Sequence, residues 1–236
     1  LIVHDPNAEI TLSISYYNKA LNYQPTNLRS RWLLMNTMPI IYSNFQQIDF
    51  YKKHFEQNLT KIEELVDKNA ILDKKQILNA LNSSTNFYLH YHGDDITSLQ
   101  KRYGNLVTKL TERILPEFHK KIPLTKNLEF IKVGFVSSFF YEHVVSKLFK
   151  NWIIKLDKVK FKTYVYHMGA EKDLMTDLIK NNCHSFVQTT NIDKTINKIF
   201  SDKLDVLIFL DIGMVPKMQI IGSLKLAKIQ ERNSFH

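Results

Sequence analysis

The second half of the chain alternates between short apolar runs and segments with helical spacing of apolar residues. The stretch from Phe130 to Leu156 shows this pattern first: an apolar run at 131–136, two serines, and then apolar residues three and four positions apart. A short apolar run bounded by polar residues predicts a buried strand, and the later spacing predicts one face of a helix. The stretch therefore predicts a strand, a polar turn and an amphipathic helix.

The same alternation continues along the chain. We predict strands at 130–137, 161–168, 184–188, 204–210 and 227–230, with helices at 144–156, 171–181, 192–200 and 215–224. Strands that alternate with helices predict a parallel sheet with right-handed crossovers. Residues 127–230 are therefore expected to form an α/β, Rossmann-like lobe whose ligands bind in the loops after the strands. The sequence has neither a GxGxxG fingerprint nor a GxxxxGK phosphate loop.

The first half of the chain is helical in pattern. Residues 8–42 predict a helix, a turn and a second helix, because Pro25 cannot continue a helix. The phrase YYNKALNYQPTN looks like the second helix and turn of a tetratricopeptide repeat. We predict the end of such a repeat array over residues 1–45, with an ordinary helical hairpin as the alternative. Helical spacing at 46–66, 74–82 and 99–115 predicts a helical linker region over residues 46–126.

Composition narrows the choice of partners and compartment. A hydrophobic content of 44% suffices for a packed core, and no apolar run approaches the ~20 residues of a membrane helix. A single cysteine, Cys183, fits a reducing compartment, so we expect a cytoplasmic protein with no membrane contact. The net charge of +9 suggests an acidic partner or an anionic substrate, or else a general lysine bias. Because the lysines are scattered and no RNA-binding motif occurs, we expect no nucleic acid.

One cluster raises the question of a metal site. His90, His92, Asp94 and Asp95 lie close together in the sequence. Gly93, Asp94 and Asp95 form a predicted turn that is also a candidate helix N-cap. The His-x-His spacing does not match the i, i+4 pair of a helical zinc site. We therefore expect a structural role for these residues and no bound metal.

Four stretches resemble one known family. In order, KVGFVSSFFYEHVVSKLF, FKTYVYHMG, DVLIFLDIGM and SLKLAKIQ resemble the bacterial relatives of protein O-linked N-acetylglucosamine transferase. That family joins tetratricopeptide repeats to a two-lobed GT-B glycosyltransferase, and RWLLMNTMPIIY and FYLHYHGDDITSLQKRYGNLV look like its joining segment. The resemblance implies that residues 127–230 are the N-terminal half of a GT-B fold.

The resemblance also implies site residues. His143 matches the family's active-site histidine after the VSS turn, where it would orient substrate or transfer a proton. Ser137 and Ser138 of that turn are expected to bind substrate, as are three residues of the loop after the fourth strand, namely Asp211, Gly213 and Met214. Gly213 would let the backbone approach a ligand closely. Two plainer roles stay open: His143 caps its helix, and Asp211 satisfies backbone donors.

The implied activity is transfer of a sugar, N-acetylglucosamine by resemblance, from a UDP-sugar to protein Ser/Thr hydroxyls without a metal cofactor; N-linked transfer stays open. The family continues after Gln230 through a Gly-His-Pro turn into a second, donor-binding lobe, whereas residues 231–236 match nothing in it. We therefore expect an aberrant tail there and a truncated chain that is inactive alone. The alternative is a non-catalytic module whose tetratricopeptide and Rossmann-like parts bind peptides or partner proteins.

Overall fold

The computed structural model describes residues 6–68, 73–93, 95–124 and 129–232. The chain divides into two compact units, of which the first ends at Leu115 and the second begins at Pro116. No helix among the described residues is long and apolar enough to cross a membrane.

The described part of the first unit is entirely helical. Its elements are α1 (Pro6–Tyr23), α2 (Leu28–Asn36), α3 (Phe45–Asp67), α4 (Lys74–Leu81), a 3-10 helix (Phe87–His92) and α5 (Thr97–Ile114). The helix–turn–helix predicted for residues 8–42 is confirmed as α1 and α2, and its identity as a tetratricopeptide repeat stays a prediction.

Side-chain caps explain where the helices of this unit begin. Asn27 Oδ1 accepts a hydrogen bond from the backbone N–H of Ser30 at 2.9 Å, which starts α2. Asp73 and Gln76 form a reciprocal capping box at the start of α4. Because a helix leaves its first N–H groups unpaired, such oxygens stabilise the start by about 1 kcal/mol each.

The core of the helical unit surrounds Trp32. The indole is fully buried, its ring centroid lies 5.2 Å from that of Tyr103, and its Nε1 donates to the Ser84 carbonyl at 3.0 Å. Phe55 and Leu59 of α3 are also fully buried.

The second unit is an α/β sandwich around one parallel sheet. After a 3-10 helix at Pro116–His119 come β1 (Ile131–Ser137), α6 (Val144–Ile154), β2 (Phe161–His167), α7 (Leu174–Asn181), β3 (Ser185–Gln188), α8 (Ile192–Asp202), β4 (Leu204–Phe209), α9 (Pro216–Ser223) and β5 (Ala227–Arg232). The predicted α/β class, with a helical region followed by a parallel sheet, is confirmed.

The strand order is β3-β2-β1-β4-β5, and every pair is parallel. The chain moves outward from β1 to β3 and then returns to place β4 on the other side of β1. The direction of winding therefore reverses between β1 and β4, which is the place where open α/β sheets bind their ligands.

The last described strand, β5, extends beyond the four residues predicted to begin it. In β5, Glu231 pairs with Ile208 and Arg232 pairs with Phe209. The fifth strand predicted to begin at 227–230 is therefore present, and its pairing with β4 continues through Arg232. Residues 233–236 lie outside the described part of the chain.

Candidate functional site

The carboxyl ends of β1 and β4 bring together the serines and the aspartate singled out from the sequence. The backbone N–H of Ser138 donates to Asp211 Oδ2 at 3.1 Å, and Leu210 N–H donates to the Val136 carbonyl at 3.2 Å. The loops after the two strands are therefore fastened to each other at the point where open α/β sheets bind ligands.

Asp211 is a carboxyl group inside the protein. Its side chain is fully buried, and burial raises its pKa to about 7, against the opposing effects of the Ser138 N–H, the Ser137 hydroxyl and the charge of Lys217. Asp211 Oδ1 and Ser138 Oγ are both buried and make no hydrogen bond to any described residue. A buried carboxyl group that titrates near neutrality is typical of groups that handle protons.

Lys217 supplies a cation beside this carboxyl group. It stands in the first turn of α9, and its Nζ donates to the Met168 carbonyl at the end of β2. Burial lowers the pKa of Lys217, while the charges of Asp211 and Glu171 act in the opposite direction.

His167 closes the β2 side of the crevice. It is fully buried, its Nδ1 accepts from the Gly169 N–H at 3.3 Å, and its Nε2 lies 2.8 Å from the Glu171 carbonyl. These partners fit a neutral ring that donates from Nε2, and burial lowers the pKa of His167 as well. His167 is therefore a fixed structural element of the loop that follows β2.

Gly169 permits the close approach of two loops. A Cβ atom at this position would lie 2.3 Å from the Ser138 carbonyl oxygen and 2.6 Å from His167 Cε1. Any larger residue would therefore push the loop after β2 away from the serine turn.

His143 stands as the N-cap residue of α6. Its Nδ1 accepts a hydrogen bond from the Val145 N–H at 3.2 Å, and its ring stacks on Phe139 at 4.2 Å between centroids. The plainer role of helix cap is thus present, and it leaves Nε2 as the remaining functional atom of the ring. Among the described residues, no hydrogen bond joins His143 to Ser138 or Asp211.

Gly213 and Met214 form the turn after β4. Met214 N–H donates to the Asp211 carbonyl at 3.2 Å, and Gly213 has φ +90°, which favours glycine. A Cβ atom on Gly213 would meet no described atom within 4 Å, and the predicted close approach to a ligand stays a prediction. Met214 packs against the sheet core around Phe135 and Phe140.

Sequence reasoning missed Lys217, His167 and Gly169. His167 and Gly169 follow β2 directly, so their place at the carboxyl end of a strand was an available signal. No feature of the sequence singles out Lys217, because it is one of 32 basic residues and its role depends on contacts with two distant loops.

His90 and His92 of the first unit both have structural partners. His92 is buried with its Nε2 2.6 Å from Tyr42 Oη, and His90 Nε2 lies 3.0 Å from Gln100 Nε2. Asp95 Oδ1 accepts from the Thr97 N–H at 2.9 Å at the start of α5, and Asp94 lies outside the described residues. No group of three or more His, Cys, Asp or Glu side chains within the described ranges could hold a metal ion.

No protein-family model matches the chain, and no curated protein matches it. Among solved structures, a mutant of the O-GlcNAc transferase from Thermobaculum terrenum is similar, with a TM-score of 0.56 and 15% sequence identity over 94% of this chain. The match spans 40% of that protein's chain. The fold is therefore distantly like that of an O-GlcNAc transferase, a glycosyltransferase fold.

Proposed function

We propose that this chain is part of a glycosyltransferase that moves a sugar, N-acetylglucosamine, from a UDP-sugar to Ser or Thr hydroxyls of proteins. The observation that carries the proposal is the hydrogen bond from Ser138 N–H to Asp211 Oδ2. It holds a buried carboxyl group, whose pKa is raised to about 7, at the place where the strand order of the sheet reverses direction. The fold likeness to an O-GlcNAc transferase supports the same reaction class.

In the proposed reaction, the bond between the sugar C1 and the diphosphate breaks while a bond forms between C1 and the acceptor oxygen. The acceptor hydroxyl loses its proton, and UDP departs. His143 is the proposed catalytic residue, because its Nε2 is not used in the capping of α6 and an imidazole transfers protons near neutral pH.

The remaining site residues are proposed to bind substrate. Ser137 and Ser138 are both buried at the end of β1. Ser137 Oγ accepts from the Phe139 N–H at 2.9 Å, whereas Ser138 Oγ lacks a hydrogen-bond partner among the described residues. Asp211, Gly213 and Met214 shape the facing wall of the crevice. No metal is proposed, since helix N-termini and basic groups stabilise a departing diphosphate. Residues 1–236 alone are proposed to be inactive without the family's donor-binding lobe.

Two substitutions at His143 test the proposal in the full-length protein. Asn is a good helix cap, so His143→Asn keeps the start of α6 and removes the imidazole, whereas His143→Ala removes both. We expect both variants to lose about 100-fold or more of the transfer from UDP-N-acetylglucosamine to an acceptor protein. His184→Ala, at an exposed histidine of the same unit, should retain transfer. Full activity of His143→Asn would reduce His143 to a helix cap.

A peptide-binding module is the second candidate. A groove of about 570 Å³ in the helical unit is lined by Tyr16, Tyr17 and Arg29 among others, as suits an extended peptide. Peptide binding by a full-length protein that neither binds UDP nor transfers sugar would favour this candidate over the enzyme.

A further inference from the structure

A second cleft lies at the opposite, amino-terminal edge of the same sheet. It has a volume of about 650 Å³ and opens between the segment after the 3-10 helix and the first residues of β1, β4 and β5. Parallel strands bring all their amino ends to one edge, so this cleft is separated from the candidate active site by the length of the strands, about 20 Å. Its volume lies in the usual range for small-molecule sites, roughly 300–1,000 Å³.

Lysines dominate the lining of this cleft. Five of them line it, with Glu117 and Asp205 as the acidic members: Lys120, Lys121, Lys132, Lys203 and Lys228.

The acidic charge of Asp205 is already compensated. Its Oδ1 lies 2.7 Å from Lys228 Nζ, and its Oδ2 accepts from the backbone N–H of Lys132 at 2.8 Å. Lys132 Nζ donates to the Asp202 carbonyl at 3.0 Å. Lys228 therefore compensates Asp205, and the four other lysines outnumber Glu117, so the net charge of the lining is positive.

Three exposed lysines provide that positive charge. Lys120, Lys121 and Lys203 make no ion pair with any described residue, and all three side chains reach solvent. Like charges gathered around a cleft repel one another, and an anion bound between them relieves that repulsion. The lysine ammonium group is a common point-charge ligand for phosphate.

The backbone of Lys203 gives a second, independent indication. Lys203 ends α8 with φ 51° and ψ 59°, and it is the one non-glycine residue of the described chain with a positive φ. Glycine is the usual residue at this position of a helix end. A lysine that accepts an unfavourable conformation at the rim of a cleft points to a role for its charge.

The opposite wall of the cleft is apolar and fixed in place. Phe200, Ile122 and Pro123 line it, and 44% of the Phe200 side chain is exposed. The Phe200 ring packs edge-on against buried Phe118 at 5.2 Å, and the Phe118 carbonyl accepts from the Lys225 N–H at 2.7 Å. The wall therefore carries a partly exposed aromatic residue, against which a planar ring can pack.

We infer that this cleft binds a small organic anion that carries a phosphate, or a group of similar charge, on an aromatic ring. The lysines hold the anionic group, and Phe200 with Ile122 and Pro123 holds the ring. Some of the lysines behind the positive net charge of the sequence would then bind a ligand at a site that is independent of sugar transfer.

The test is a calorimetric titration of the full chain with 1-naphthyl phosphate, which combines the two features. Inorganic phosphate supplies the charge without the ring, and 1-naphthol supplies the ring without the charge. We expect 1-naphthyl phosphate to bind at least about tenfold more tightly than either of these, and less tightly as salt is raised. No binding at millimolar concentration, or equal binding of 1-naphthol, would overturn the inference.

A matched pair of triple variants locates the site. The cleft variant is Lys120→Gln, Lys121→Gln and Lys203→Asn, in which Asn tolerates the left-handed backbone. The control variant is Lys155→Gln, Lys180→Gln and Lys194→Gln, which removes the same charge from exposed positions elsewhere in the unit. We expect binding to weaken about tenfold or more in the first and less than about twofold in the second. Equal weakening in both would show general electrostatic attraction and overturn the site.

The single variant Lys203→Asn keeps the test decisive if the cleft triple variant does not fold. It should weaken binding of 1-naphthyl phosphate about threefold, with a melting temperature no lower than that of the parent chain. Unchanged binding in this variant would contradict a role for Lys203. None of these measurements uses sugar transfer, so the cleft can be tested independently of the proposed enzymatic activity.

Discussion

Ser138 and Asp211, 73 residues apart in the sequence, are joined by a 3.1 Å hydrogen bond from a backbone N–H to a fully buried carboxylate oxygen. This one contact crosses the seam between β1 and β4. It therefore couples the protonation of a buried acid to the geometry of the serine turn.

Asp211→Asn is expected to change how stability depends on pH. The pKa of Asp211 is raised from 3.8 to about 7 in the folded state, so the folded chain holds this proton more tightly than the unfolded chain. The contribution of this carboxyl group to the free energy of unfolding is fully present below pH 4. As the pH rises towards 7, the free energy of unfolding falls by on the order of 4 kcal/mol. Asn accepts the same Ser138 N–H and does not ionise.

The measurement for this variant is urea unfolding at a series of pH values from 4 to 8. The free energy of unfolding of Asp211→Asn, relative to that of the parent chain, should rise across this interval and level off above pH 7. Parallel curves for the two proteins would show that the buried carboxyl does not titrate in this range.

Gly169→Ala should destabilise the sheet unit by about 1–3 kcal/mol, because the new Cβ atom would overlap the Ser138 carbonyl, which is backbone and cannot rotate away. Gly104→Ala is the contrasting substitution, since Gly104 lies inside α5 and an added Cβ meets nothing within 4 Å. That variant should gain about 0.5–1 kcal/mol from helix propensity. Thermal unfolding of both variants checks the opposite signs.

His143→Ala should cost about 1 kcal/mol of stability, because α6 loses the side-chain acceptor for the Val145 N–H. His143→Asn should stay within about 0.5 kcal/mol of the parent, since Asn caps helices well. Denaturant unfolding of the two variants measures how much the helix cap contributes to stability, independently of any catalytic role of the imidazole. Equal stability of both variants would mean that the histidine cap contributes little.

Lys203→Gly should raise the free energy of unfolding by up to about 1 kcal/mol, because glycine adopts a positive φ without steric cost. The neighbouring substitution Ser201→Gly, inside the last turn of α8, should instead lower it by about 0.5–1 kcal/mol. Melting curves measured side by side give the comparison. A loss of stability at both positions would remove the argument that Lys203 is strained.

Local patterns in the sequence were enough to predict β1, α6 and the place of His143 just before the first helical turn. Those features depend on residues within a few positions of one another, so the spacing of apolar residues predicts them directly. Lys217 was out of reach because its role depends on the Met168 carbonyl on another loop. The position of Gly169 after β2 could be predicted, but its close approach to the Ser138 carbonyl depends on a distant loop. Gly213 has a local reason as well, its positive φ, and its approach to a ligand stays a prediction.

The central position of β1 has a consequence for how the second unit assembles. β1 pairs with β2 across about 30 residues, as in Val133 with Thr163, but with β4 across about 73, as in Val133 with Val206. Closing the longer loop costs about 0.8 kcal/mol more chain entropy, and β4 emerges later from the ribosome. We therefore expect the seam that joins Ser138 to Asp211 to form late in folding, after the β1–β2 half of the sheet is in place.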